Sequence, residues 1–327
     1  MPFLDIENLQ VDFVTDDGVV HAVNGVDLEL FEGETLGLVG ETGAGKTTLA
    51  KCIMNILPGR TGRIRSGKIF YENENLLEKT DKEMQKIRGA NIAMIFQDPM
   101  TSLNPVLTVG EQIAESVHNH EQCTKKAAME RAKDMLELVG IPAQRINEYP
   151  HQFSGGMKQR VVIAIALACN PKLLIADEPT TALDVTIQAQ VLEMMQSLRQ
   201  KFNTSMLLIT HDLGVVAQNC DRVAVIYAGE IVESGTVQDI FKRLKHPYTS
   251  GLMTSIPKIK EHVTRLTPIA GIMPDPTNLP AGCKFNTRCP YVTDRCRAKH
   301  PELIEVEKGH YARCFLCGEG EMKNGSK

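Results

Sequence analysis

The sequence has no long hydrophobic run. Its longest uninterrupted apolar stretch, Val161–Cys169, is nine residues, where a bilayer-spanning helix needs about 20, so the chain is not expected to span a membrane. It has no excess of one charge either: 36 Lys+Arg stand against 40 Asp+Glu, a formal net charge of −4. A global electrostatic drive toward nucleic acid is therefore excluded, leaving only local basic faces. The N-terminus, Met1-Pro-Phe-Leu-Asp-Ile-Glu7, lacks the basic region and apolar stretch of a secretory leader, which predicts a cytoplasmic protein. Nine cysteines, an odd number, in such a chain argue against a disulfide framework. Apolar residues make up 43% of the 327, enough for a full core and for two domains, or for one large domain with an appendage.

Cysteine and charge are unevenly spread. Cys52, Cys123, Cys169 and Cys220 are scattered over the first 257 residues, whereas Cys283, Cys289, Cys296, Cys314 and Cys317 crowd into the end. Residues 258–327 hold 12 basic and 8 acidic side chains, leaving 24 against 32 for residues 1–257. Two modules with a boundary at 257/258 are expected. Thr267-Pro268 and the Pro-rich stretch Met273–Pro280 read as an extended connection between them. That separation predicts that substituting Cys283, Cys289 or Cys296 leaves ligand affinity in the first module unchanged.

Within the first module, residues 3–31 alternate apolar and polar, the period-2 pattern of strands, with Asp16-Asp17-Gly18 as a hairpin turn. The short apolar strand Thr35–Val39 then runs into Gly40-Glu41-Thr42-Gly43-Ala44-Gly45-Lys46-Thr47-Thr48 and a helix-forming segment. Strand, glycine loop and helix are the context of a phosphate-binding loop. Its backbone N–H groups curl around phosphate oxygens, Lys46 reaches the terminal phosphates, Thr47 offers a hydroxyl to Mg²⁺, and the helix N-terminus adds positive potential.

A second strand, Lys172-Leu-Leu-Ile-Ala-Asp177-Glu178-Pro179, ends in two adjacent carboxylates at the sheet's carboxyl edge, where open α/β sheets bind ligands. Neighbours on an extended strand point opposite ways, so the two acids are expected to differ in role. Asp177 suits Mg²⁺, and Glu178 suits orienting or deprotonating the attacking water. A third strand, Ser205–Thr210, ends at His211. Ser154-Gly155-Gly156 opens the apolar helix after Arg160 and forms a second anion-binding helix start, this one without a lysine.

With these elements in this order, residues 3–257 resemble the nucleotide-binding subunits of ABC (ATP-binding cassette) transporters. Gly40–Thr47 corresponds to that family's Walker A loop, Gln97 to its Q-loop, and Ser154-Gly155-Gly156 to its signature motif. Leu173–Asp177 with Glu178 corresponds to Walker B, Ala182-Leu183-Asp184 to the D-loop and His211 to the switch histidine. Phe153 stands where the family's leucine is usual, and Phe13 where an aromatic stacks on adenine. The resemblance implies an α/β fold: a RecA-like P-loop NTPase core with an antiparallel β subdomain, an inserted helical subdomain at about 98–160, and here a small cysteine-rich extension. It implies catalytic roles for Glu178, His211, Gln97 and Lys46, and Mg²⁺ held through Thr47, Gln97 and Asp177. It also implies head-to-tail pairing with a second ATPase subunit, itself or a paralogue, so that each ATP lies between Walker A of one cassette and the signature serine of the other.

His246-Pro247-Tyr248-Thr249, the proline-rich stretch and the clustered cysteines narrow the resemblance to ATP-binding subunits of bacterial dipeptide and oligopeptide importers, of the dipeptide-transport type with a cysteine-rich tail. That family works with two transmembrane permease subunits and, indirectly, an extracytoplasmic peptide-binding protein, at the cytoplasmic face of the cell membrane. Nickel and sugar importers are related. Nucleic-acid-acting ABC ATPases typically carry two cassettes or long coiled-coil arms, which this chain lacks, so no nucleic-acid partner is expected. The tail's spacing (five residues, then six, then seventeen) matches neither compact zinc knuckles nor ferredoxins and points only to a metal site, with free thiols as the alternative. Zinc remains the alternative metal. The resemblance goes further, to a [4Fe–4S] cluster on Cys283, Cys289, Cys296 and Cys314, with Lys284, Arg288, Arg295, Arg297 and Arg313 near enough in sequence to offset its charge.

Overall fold

A computed structural model describes residues 2–181, 183–255 and 269–317. Strands β1 (Leu4–Thr15), β2 (Gly18–Leu30) and β3 (Thr35–Val39) lead into α1 (Lys46–Ile53), β4 (Gly62–Tyr71) and β5 (Glu74–Asn75). The chain continues through α2 (Asp81–Ile87), β6 (Ile92–Ile95), α3 (Pro99–Ser102), α4 (Val109–His120), α5 (Lys125–Leu138) and α6 (Gly155–Leu167). Then come β7 (Leu173–Asp177), α7 (Val185–Phe202), β8 (Ser205–Thr210), α8 (Leu213–Asn219), β9 (Arg222–Tyr227) and β10 (Glu230–Thr236). The described chain ends with α9 (Val237–Lys242), α10 (Pro247–Thr254), α11 (Asp294–Ala298), β11 (Ile304–Glu307) and β12 (His310–Ala312).

Contacts divide the chain into two compact units that interleave in sequence. One is built on residues 76–209 with 30–35; the other takes 3–29, 36–75 and the chain from 210 onward. Composition marks a boundary at 257, but packing does not follow it. The described tail residues lie in the same unit as the phosphate loop, because their apolar side chains (Ile269, Met273, Leu279, Phe285) pack on the core around Tyr227 and Tyr248.

In the 76–209 unit, β6, β7 and β8 run parallel, with Met94 opposite Ile175 and Ile175 opposite Leu207. All residues of these strands are buried, which is why they read as continuous apolar runs instead of an alternation. The segment read as an inserted subdomain is helical. Thr108 caps α4 in a reciprocal box with Glu111, Thr124 caps α5, and Asp184 caps α7, each oxygen taking an N–H that the helix start leaves unpaired. Ile175 is fully buried, so Ile175→Ala should destabilise this unit by roughly 2–5 kcal/mol through lost transfer energy and a residual cavity. A urea titration reads this as a lower midpoint, and a shift worth less than about 1 kcal/mol would mean that the strand is not sealed.

In the other unit an antiparallel sheet has the order β2-β1-β4-β5. Beside it in sequence, β3 pairs in parallel with β9, and β9, β10, β12 and β11 follow as antiparallel neighbours. The tail thus extends a sheet by two short strands.

Candidate functional site

The phosphate loop hangs between β3, whose five residues are all buried, and α1. Gly43 (φ 82°) and Gly45 (φ 103°) occupy the left-handed region that lets the backbone turn inward. Gly40 is needed for a different reason: a Cβ there would lie 2.2 Å from the Ile226 carbonyl oxygen. Ala44 is buried, Thr42 is exposed, and Thr47 and Thr48 are half-buried on the first turn of α1. Lys46 is buried and folded back, its Nζ donating to the carbonyls of Gly40 (2.7 Å) and Glu41 (3.0 Å).

Three further residues of this unit were expected from the sequence to lie at the nucleotide site. Phe13 is half-buried on β1 opposite Gly62, whose missing side chain leaves room for the ring edge. His211 is exposed just after β8, and Asp212 caps α8 by accepting from the N–H groups of Gly214 and Val215. Glu41 is gripped by groups that sequence reasoning did not assign. Its carboxylate takes a bidentate pair from Arg288 (2.7 and 3.0 Å), and its N–H donates to the Tyr248 hydroxyl (3.0 Å). The Arg288 guanidinium is held more firmly protonated than usual by Glu41.

In the 76–209 unit, Asp177 is buried as the last residue of β7, and Glu178 follows with φ 47°. The strand therefore ends at Asp177. The two carboxylates diverge because the backbone turns left-handed at Glu178, and not by the alternation of an extended strand. A non-glycine residue in this region carries strain of order 1–3 kcal/mol, which the surroundings must hold in place. Here the Glu178 N–H donates to the Ile209 carbonyl (2.8 Å), while its carboxylate accepts from Gln97 Nε2 (2.9 Å) and Thr181 Oγ1 (3.0 Å). Gln97 and Glu178, 81 residues apart, are thus brought together. Thr181 carries no motif signal that would have marked it.

Ser154 is the exposed N-cap of α6, accepting from the Met157 N–H, and Gly155 beside it is exposed too. Gly156 has no room for a side chain, since a Cβ would meet Ile187 Cγ2 at 2.6 Å. Phe153, the departure from the family's leucine, is buried with the Arg145 guanidinium 4.3 Å from its ring centre. Of the D-loop, Ala182 lies outside the described residues.

In the tail, Cys283, Cys289, Cys296 and Cys314 line one small cavity together with His246 and Phe285. Cys317 is not among its lining residues; its thiol points to the Lys245 carbonyl (3.6 Å) and hydrogen-bonds with Cys314. Burial pushes the Cys283 thiol up to about 12 and raises that of Cys289. The cations expected to offset cluster charge are engaged elsewhere: Arg288 on Glu41, Arg297 on Asp294, Lys284 on the Pro280 carbonyl and Arg313 on the carbonyls of Ile231 and Pro301. Arg295 lies over the Phe315 ring.

Residues 23–181 match the family model for the ABC transporter, and residues 232–296 match that for the oligopeptide/dipeptide transporter, C-terminal region. The chain is similar to the oligopeptide transport ATP-binding protein AppD of Bacillus subtilis, 52% identical over 318 residues and 97% of each chain. It is 45% identical over 316 residues, 96% of each chain, to the dipeptide transport ATP-binding protein DppD of Escherichia coli. A solved dimeric structure of the ATP-binding cassette MJ0796, in a post-hydrolysis state with ADP and phosphate bound, matches 72% of this chain and 98% of its own, at 26% identity and a TM-score of 0.65. With the phosphate loop, the signature helix and the Gln97–Glu178 pair in place, and identity at this level along nearly its whole length, the chain belongs to the ABC transporter family, in its branch of oligopeptide and dipeptide transport ATP-binding proteins.

Proposed function

We propose that this chain hydrolyses MgATP at the cytoplasmic face of the cell membrane to drive import of dipeptides and oligopeptides through two permease subunits, fed by an extracytoplasmic peptide-binding protein. The observation that carries the reading is a phosphate loop together with a carboxylate already hydrogen-bonded by Gln97, in a chain whose relatives are named for peptide transport. Backbone N–H groups of the loop and the α1 N-terminus receive the phosphates, and Lys46 exchanges its two carbonyl partners for phosphate oxygens. Phe13 supports the adenine ring. Thr47, Asp177 and Gln97 offer oxygen donors of the kind Mg²⁺ prefers and would hold the ion, which when bound would offset charge on the phosphate oxygens. Glu178 accepts the proton of the attacking water, and Gln97 and His211 orient that water. Ser154 and Gly155 act on the nucleotide held by the partner cassette, a paralogue or a second copy. Uptake of labelled dipeptide tests the reading. Deletion of the chain should abolish it and wild type restore it, whereas normal peptide uptake with lost nickel or sugar uptake would replace peptide by that solute.

We also propose that the tail holds a [4Fe–4S] cluster on Cys283, Cys289, Cys296 and Cys314. The four thiols line one cavity that leaves Cys317 out, which supports Cys314 as fourth ligand. A bound cluster would staple four separate stretches of the tail and could exchange an electron. Anaerobically purified protein should be brown, with about four irons and four sulfides per chain. Cys283→Ser should bleach it and Cys317→Ser should not; stoichiometric zinc without labile sulfide would overturn the cluster and leave the transporter reading standing.

A further inference from the structure

We propose that Arg288 is a positioning residue for the nucleotide site: it ties Glu41 of the phosphate loop to the cysteine-bearing tail, so that the integrity of the tail sets the affinity for ATP. The inference rests on the reading of Gly40–Thr48 as the ATP loop and extends it to residues that no phosphate touches.

Arg288 directly precedes Cys289, so any group that fixes the Cys289 sulfur also fixes the base of the arginine. Its side chain is only 4% exposed. Nε donates to the Ala270 carbonyl (3.1 Å), one terminal nitrogen reaches the Tyr227 hydroxyl (3.4 Å), and the guanidinium lies over the rings of Tyr227 and Phe285. With Nε held by Ala270 and a terminal nitrogen by Tyr227, the fork is oriented so that it meets both carboxylate oxygens of Glu41. A planar bidentate pair of this kind carries geometric specificity as well as charge.

The other groups on Glu41 make the tie matter for the loop. Its N–H is held by Tyr248, whose ring packs on Tyr227 (4.5 Å between centres) and on Phe285 (5.5 Å). Its carbonyl accepts from Lys46, the residue that must reach phosphate. Glu41 is therefore fixed at side chain and N–H by a wall that includes the tail, and at its carbonyl it bears on the lysine. Tail and loop meet a second time at Gly43, where a Cβ would lie 3.1 Å from Met273 Cε. These contacts argue against the expectation that substituting the tail cysteines leaves affinity in the first module unchanged.

The test is a double-mutant cycle on the full chain, purified anaerobically, with the equilibrium Kd for a fluorescent ATP analogue in Mg²⁺ buffer as readout. Arg288→Gln and Glu41→Gln each sever the same tie, so each should weaken binding roughly tenfold, and the double variant should be no weaker than the worse single. Arg288→Lys, which keeps the charge and loses the fork, should fall between wild type and Arg288→Gln. Cys283→Ser should weaken binding in the wild-type background and add nothing in the Glu41→Gln background. Glu41→Gln lies outside the tail and carries the test even where Arg288→Gln disturbs it. Multiplicative effects in either cycle, or Glu41→Gln within twofold of wild type, would overturn the proposal. Lys46→Ala serves as the separate control: if it binds the analogue as tightly as wild type, the reading of the loop fails, and not the role of Arg288.

Discussion

A Glu178→Gln chain should bind MgATP as wild type does and turn it over about 10²–10⁴-fold more slowly, the range that a positioned general base contributes. The substitution keeps the shape of the side chain and one carbonyl oxygen that can still accept from Gln97 or Thr181. What it removes is the capacity to take a proton. The backbone argues for the same role, since a residue held at φ 47° beyond a fully buried strand is there because its side chain must aim somewhere that an extended residue could not reach. Single-turnover hydrolysis measured beside equilibrium analogue binding separates chemistry from affinity. Turnover within a few-fold of wild type would show that Glu178 is not the base. Weakened binding with turnover unchanged would show a uniform binding role instead.

The strands were legible because burial on both faces writes an uninterrupted apolar run: Thr35–Val39 and Ser205–Thr210 are strands with the ends that the sequence suggests, while the strand read from Lys172 through Glu178 and Pro179 starts one residue later and stops at Asp177. Of the helix starts, the one at Ser154 was legible from its serine and two glycines, whereas the caps Thr108, Thr124 and Asp184 emerge only from the structure. Glu178 was singled out in the sequence but its conformation was not, because nothing in a one-dimensional pattern distinguishes a strand that continues from one that turns left-handed at its last acid. Arg288 was seen only as one of five cations beside thiols. Its true partner, Glu41, is 247 residues away, and a contact at that separation leaves no periodicity to read. Tyr248 shows the intermediate case: it stood inside a stretch that pointed to the family, yet its job, holding the N–H of Glu41 from a fully buried position, is visible only in three dimensions. The tail was set apart for the same reason, since charge and cysteine content change at 257 while the apolar positions that join it to the Tyr227 core are too few to alter composition.

Replacing Ser154 by arginine should abolish hydrolysis, a loss beyond 10²-fold, while analogue binding to the isolated chain stays within about twofold of wild type. Ser154 and Gly155 present an exposed helix start whose N–H groups and hydroxyl can bind anion oxygens. An arginine there removes the cap oxygen, at a cost to the helix of about 1 kcal/mol, and fills the open end with a long side chain. The fold should survive, so lost turnover reads a lost partner contact. A mixture then tells on which nucleotide Ser154 acts. In a heterodimer of Ser154→Arg with Lys46→Ala chains, one composite site joins an intact phosphate loop to an intact signature helix, and the other joins two damaged halves. Two inactive preparations should therefore recover about half of wild-type activity per dimer once mixed dimers are verified by differential tags. Verified mixed dimers that remain inactive would place Ser154 on its own chain's nucleotide, or make both sites obligatory for each turnover. Wild-type chain mixed with Lys46→Ala decides between those two, because one intact composite site working alone restores the first explanation and excludes the second.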